Sequence, residues 1–270
     1  MMDAMEPPFA IAHPDYLLVM TATVTPAVNA GVKRSSPQVR LEDYKRALRF
    51  WLSYPHRVAE RILFLENSGA DLSELRAIVE KENPAAREVE FLALPKQAIP
   101  DGLNYGYTEM QTLDEGLVLS KLRAATTHLV KVTGRLTFPA LGKALDRIEK
   151  RQGALRQPFE LMIDCRKLGF PRRGCDAQVQ LFACSHGFYD RVLRNAKREL
   201  NATDLRLLEQ LIYRKVIPFK GRPGHFLRFP SNIDPVGVFG FKDRRYDSAL
   251  TFIPRRIRAL LRVVAPGYWF

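Results

Sequence analysis

Tyr16-Leu-Leu-Val-Met-Thr-Ala-Thr-Val24 is a short run of apolar and β-branched side chains, closed by Thr25-Pro26. An uninterrupted apolar run of this length reads as a strand buried on both faces. Outward from it, similar runs recur at Arg61-Ile-Leu-Phe-Leu65, Val89 to Leu94, His128-Leu-Val-Lys-Val-Thr133, Phe159-Glu-Leu-Met-Ile163 and Gln178 to Ala183. Helical patterns separate them. Leu41, Tyr44, Leu48, Trp51 and Leu52 recur at helical spacing. Asp71, with Glu74 three residues on, caps a helix running to about Lys81. A loop from Pro95 to Tyr107 leads to a helix starting at Thr108, and Pro139 opens another through Ile148. Two more helices, 186–200 and 203–215, follow the last strand, the second capped by Thr203.

Strands alternating with helices predict an α/β fold whose sheet is covered on both faces, with a ligand site outside the carboxyl ends of the strands. Residues 1–217 form the predicted α/β domain. Residues 218–270, rich in Gly, Pro, Phe and Arg without a period, read as a basic extension that wraps the core or forms a lid.

The chain has 270 residues and a formal charge of +13, with 46% apolar and 26% charged residues. These values exclude a wholly disordered chain. The surplus is lopsided: residues 1–135 carry 16 basic and 17 acidic side chains, residues 136–270 carry 26 and 12. Such a bias points to an anionic partner, either nucleic acid, phospholipid head groups or a diphosphate. Nucleic acid is disfavoured, because there is no helix-turn-helix or zinc-finger signal and the basic residues follow no single stripe. Cys165, Cys175 and Cys184 are too few and too widely spaced for a disulfide framework, and the five histidines form no ligand motif. No leader pattern precedes the first strand and no apolar run approaches ~20 residues. The expectation is a cytoplasmic protein, soluble or peripheral on the inner membrane.

The chain has no GxGxxG after its first strand, no GxxxxGK[ST] and no GxSxG. The candidate residues are therefore those at the strand ends. Thr21 and Thr23 either fill a strand or bond a ribose or phosphate. Glu66-Asn67-Ser68-Gly69 is either a polar turn or a reader of a nucleoside edge. In Lys131-Val-Thr-Gly-Arg135, alternation places Lys131 and Thr133 on one side of the strand. Gly134 permits close backbone approach, and Arg135 adds a planar cation suited to phosphate. Asp164 serves either as a general base or as the partner of Arg166. Asp176 lies shortly beyond, after Arg172-Arg173. Tyr105 and Tyr107, beside Glu109, either supply rings for a sugar or base or belong to an ordinary loop.

Five of these pieces together resemble bacterial glycosyltransferase-like proteins of surface-polysaccharide synthesis. They are Leu17-Leu-Val-Met-Thr-Ala-Thr-Val-Thr-Pro26, Arg40-Leu-Glu-Asp-Tyr44, Phe64-Leu-Glu-Asn-Ser-Gly69, Gly106-Tyr-Thr-Glu109 and Val130-Lys-Val-Thr-Gly-Arg135. The resemblance spans about Tyr16 to Asp190. It implies a type-A transferase fold, a single Rossmann-like mixed sheet that binds a nucleotide-sugar donor and passes the sugar to a glycan or lipid-linked acceptor. Many such enzymes hold a divalent metal on an Asp-x-Asp motif, which this chain lacks. With Lys131 and Arg135 near that place, the resemblance implies that cations stand in for the metal, or that the fold persists without activity. An inverting reaction needs a carboxylate base, with Asp164, Asp176 and Glu109 the candidates in that order. The stereochemistry stays open. The alternative is a non-catalytic basic α/β protein that binds nucleic acid or a membrane.

At the far end, Ile257, Leu260, Leu261 and Val264 form one apolar stripe, with Arg255, Arg258 and Arg262 away from it. This helix either docks on the core or lies on an anionic membrane surface, helped by Tyr268, Trp269 and Phe270.

Overall fold

The computed structural model describes residues 13–27, 32–155, 159–168, 174–201, 207–239, 243–246 and 260. Seven strands form one mixed sheet: β1 (Tyr16–Ala22), β2 (Arg61–Glu66), β3 (Glu88–Ala93), β4 (His128–Thr133), β5 (Leu161–Leu168), β6 (Gly174–Ser185) and β7 (His225–Phe226). Their order is β3-β2-β1-β4-β6-β5-β7. β3, β2, β1 and β4 run parallel, β6 is antiparallel to both neighbours, and β7 returns parallel to β5. The fold is therefore α/β with a mixed sheet, as the alternation of strands and helices predicts.

The central strands are apolar throughout because both faces are covered. All seven residues of β1 are buried. On one face Leu18, Met20, Val130 and Val132 meet α1 (Pro37–Leu52), α2 (Ser73–Lys81) and α4 (Leu141–Leu155) through Tyr44, Leu48, Trp51, Leu75, Ile78 and Leu145. On the other, Leu17, Val19 and Leu129 meet α3 (Tyr105–Leu119) and α5 (Leu208–Val216) through Met110, Leu113, Leu117, Leu211 and Ile212. Each large apolar side chain removed from water in this way contributes about 1.5–3 kcal/mol.

Several boundaries differ from the sequence reading, each for a local reason. α3 begins at Tyr105 rather than Thr108, because the Asn104 side chain caps it by accepting the Gly106 N–H at 2.8 Å. Tyr105-Gly-Tyr107 is thus the first helical turn, not loop. Leu72 rather than Asp71 holds the N-cap position of α2; the Asp71 carboxylate, one residue earlier, accepts the N–H and hydroxyl of Ser73, the first residue of the helix. α4 starts at Leu141 and continues past Ile148 to Leu155. The helix expected over 186–200 breaks into short turns, His186–Phe188, Tyr189–Leu193 and Ala196–Glu199, with Asn195 left-handed between the last two. Thr203 lies outside the described residues, and the following helix starts at Leu208. β5 and β6 run on to Leu168 and from Gly174.

Between the pairs Ile163–Phe182 and Cys165–Ala177, β5 advances two residues and β6 advances five, so residues 178–181 bulge out of that pairing. The stretch after 217 joins the same sheet through β7, and Val236 bridges Thr137. β8 (Val238–Phe239) and β9 (Arg244–Arg245) form a small ribbon. The expected helix at 254–264 falls outside the described residues apart from Leu260. No helix among the described residues is long and apolar enough to cross a membrane.

Candidate functional site

Register brings the ends of three parallel strands level. Thr21 pairs with Leu65 and Thr133, and Ala22 pairs with Glu66. The chain leaves the sheet there in three loops, which wall a cleft of about 1060 Å³ counted out to its open mouth. Gly134 is required at this edge. Its N–H donates to the Thr21 carbonyl at 2.9 Å, and a Cβ at Gly134 would sit 2.8 Å from that same oxygen.

The loop after β1 is pinned by side chains. The Thr23 N–H donates to the Tyr44 hydroxyl at 2.9 Å, that of Val24 to Glu66 Oε1 at 3.0 Å and that of Thr25 to Ser68 Oγ at 2.9 Å. Arg40 Nε donates to the Thr23 carbonyl at 2.6 Å, and an Arg40 terminal nitrogen to the Tyr44 hydroxyl at 3.0 Å. These backbone donors are therefore engaged within the protein.

Glu66 is fully buried and does not line the cleft. Besides Val24, its carboxylate accepts the N–H groups of Ser68 at 2.9 Å and Ala70 at 3.1 Å, and the Ser68 hydroxyl. It clamps the loop after β1 to the loop after β2. Asn67 does line the cleft, beside Thr21 and Thr23. Its Oδ1 accepts the Thr23 hydroxyl at 2.7 Å and its Nδ2 donates to Thr112 Oγ1 at 2.7 Å. A second amide hydrogen and a second oxygen lone pair are left to face a ligand.

Lys131 lies beneath the cleft rather than in it. It is 1% exposed, and its ammonium donates to Glu109 Oε1, to the Val179 carbonyl at 2.6 Å and to Thr133 Oγ1 at 3.4 Å. The Val179 carbonyl is available because it belongs to the bulge of β6. The same bulge places Gln180 in the cleft, where its amide donates to the Tyr246 hydroxyl at 3.2 Å.

Arg135 lines the cleft, half-buried, with Nε donating to the Val238 carbonyl at 3.1 Å. Among the described residues its terminal nitrogens have no partner. Tyr105, Tyr246, Glu109 and Glu209 line the same cleft, and Tyr105 feels the charges of Arg135, Glu109 and Glu209. Burial pushes the Tyr105 hydroxyl well above its ordinary range, and the nearby Glu209 and Glu109 push it further, so it stays protonated. Burial likewise raises the Glu209 carboxyl, with Glu109 and Asp176 adding to the effect.

The remaining candidates sit elsewhere. Asp164 is 2% exposed and accepts Gln178 Nε2 at 2.9 Å, and its carboxylate lies 3.5 Å from Arg166 Nε. Arg166 is the register partner of Asp176 across β5 and β6. These three cluster together, and none lines the cleft. Tyr107 packs against the core and does not line it either, and Arg172 and Arg173 lie outside the described residues. Among the described residues, no three His, Cys, Asp or Glu side chains are grouped so as to hold a metal ion. Arg40 lines the cleft, and so do Lys96, Gln180, Glu209 and Tyr246, which were not singled out from sequence. Arg40 carried a signal, one helical turn before Tyr44 on α1; the others follow no local pattern.

No protein-family model matches the chain, and no curated protein matches it in sequence. Solved structures are similar in fold at low identity. One is a cytidylyltransferase from Leptospira borgpetersenii, 13% identical, aligned over 89% of this chain and 84% of its own, with a TM-score of 0.44. Another is a protein assigned as a nucleotide-diphospho-sugar transferase from Desulfovibrio desulfuricans G20, 10% identical, aligned over 93% and 98%, with a TM-score of 0.36. A likeness at these scores assigns neither activity nor substrate to this chain.

Proposed function

We propose that this protein is a glycosyltransferase. It moves a sugar from a nucleotide-sugar donor to a glycan or lipid-linked acceptor in bacterial surface-polysaccharide synthesis, on the cytoplasmic side and without a divalent metal. The observation that carries this reading is Arg135, at the carboxyl end of a parallel strand where a phosphate site belongs in an open α/β sheet. Its Nε is held by Val238, so the guanidinium fork is oriented before a ligand arrives. Its terminal nitrogens are open to the cleft. A planar fork suits the oxygens of a diphosphate, and it stabilises the charge that grows there as the glycosidic bond breaks. Thr23 and Asn67 face the nucleoside, and Tyr105 offers a ring edge and a hydroxyl donor to the sugar.

Replacing Arg135 with alanine is expected to weaken UDP or GDP binding about 10- to 150-fold, the worth of one charge-assisted hydrogen bond. Titration calorimetry checks this, with an unchanged melting temperature as the control for folding. Affinity unchanged from the parent would remove the observation on which the reading stands. Metal independence has its own test. Release of nucleoside diphosphate from UDP- or GDP-hexose is expected to persist in EDTA, and loss reversed by Mn²⁺ would place a metal at the diphosphate instead.

A further inference from the structure

Five carboxylates were in question around this cleft, and their surroundings separate them. Glu66 is consumed by backbone donors. Asp164 and Asp176 do not line the cleft. Glu109 lines it, but the Lys131 ammonium sits directly on its carboxylate. That contact commits the Glu109 carboxylate to an ion pair with a buried ammonium.

Glu209 differs. It stands in the first turn of α5, lines the cleft, and has no cation within ion-pair distance among the described residues. Its carboxylate accepts only its own backbone N–H there. The groups that face it are Glu109 and Tyr105 from α3, Asp176 from β6 and Lys131 from β4. Arg135 and Glu209 line the same cleft, and both act electrostatically on the Tyr105 hydroxyl. An inverting displacement needs that closeness, because the attacked carbon lies between the leaving diphosphate and the incoming oxygen.

We infer that Glu209 is the base of the reaction. The inference rests on the transferase reading. In the step, the acceptor O–H gives its proton to a Glu209 carboxylate oxygen as the acceptor O–C1 bond forms. The C1–O bond to the diphosphate breaks, and its electron pair leaves with the nucleoside diphosphate at Arg135. The step requires of its acceptor only an O–H group within reach of Glu209. Water itself satisfies the requirement, so donor hydrolysis reports the step without a known acceptor.

The test compares the parent with Glu209→Gln, Glu209→Asp and Glu109→Gln. UDP and GDP affinity in Glu209→Gln is expected to stay within about threefold of the parent, while hydrolysis of the bound hexose conjugate falls about 100-fold or more, as for a lost general base. Glu209→Asp is expected to recover part of the rate. The parent rate should fall on the acid side of its pH profile, and that limb should vanish in Glu209→Gln but persist in Glu109→Gln. Stability gives an independent readout with a definite sign. A carboxyl raised in the folded state favours folding below its unfolded pKa, and that contribution is lost as pH rises through the folded value. Glu209→Gln should therefore gain in melting temperature over the parent as pH rises. Normal hydrolysis by Glu209→Gln, with nucleotide binding intact, overturns Glu209 as base and leaves the transferase reading standing. Failure of the parent to bind any nucleoside diphosphate overturns both.

Discussion

Lys131→Ala is expected to lower the unfolding free energy by about 3–5 kcal/mol, the loss typical when one partner of a buried ion pair is removed. The side chain fills the space between β4, the β6 bulge and α3, and its ammonium is the hydrogen-bond partner of the Val179 carbonyl and of Glu109. Alanine leaves a cavity, an unpaired carbonyl and a carboxylate without its cation. The double variant Lys131→Met with Glu109→Gln should recover much of the loss, since it removes both charges and refills the volume. Urea unfolding of the three proteins checks this. A Lys131→Ala protein as stable as the parent but unable to bind UDP or GDP would return Lys131 to the role its strand position suggested, a direct contact to diphosphate.

Glu66→Ala should be comparably severe. Three backbone N–H groups and one hydroxyl end on its carboxylate. Each buried donor left without a partner costs about 1–3 kcal/mol. A loss of about 3–6 kcal/mol is expected, together with loss of nucleotide binding, because the loops after β1 and β2 no longer share a tie. Glu66→Gln keeps one acceptor oxygen and should fall between alanine and the parent. Chemical denaturation supplies the first quantity and calorimetric titration the second. Full stability in Glu66→Ala combined with weakened nucleotide binding would instead make Glu66 a ligand contact.

The strands that build the floor of the cleft were legible because burial on both faces leaves an unmistakable trace in composition. β1, β2 and β4 appear as apolar runs, and their ends point to Thr23, Asn67 and Arg135. The roles within those ends were less legible. A glutamate at a strand end looks the same whether it faces a ligand or its own loop, and Glu66 is distinguished only by where Val24, Ser68 and Ala70 aim their N–H groups. Lys131 in an apolar strand signalled a special site, yet its partners come from α3 and from a bulge in β6 that no periodicity announces. Glu209 and Tyr246 enter the cleft from segments more than 70 residues beyond Arg135. Contacts of that range leave no mark on local pattern.

The carbonyl that orients Arg135 belongs to Val238, 103 residues further along the chain. Ribosomes add about 5–20 residues per second, so about 5–20 s of synthesis separates the arginine from the group that aims it. During that interval β1, β2 and β4 can pair while the cleft is still missing Glu209, Tyr246 and the anchor for the Arg135 guanidinium. The nascent protein thus acquires its framework well before its cleft is complete. Premature termination after α5 would leave a sheet whose Arg135 lacks the carbonyl that holds it in place.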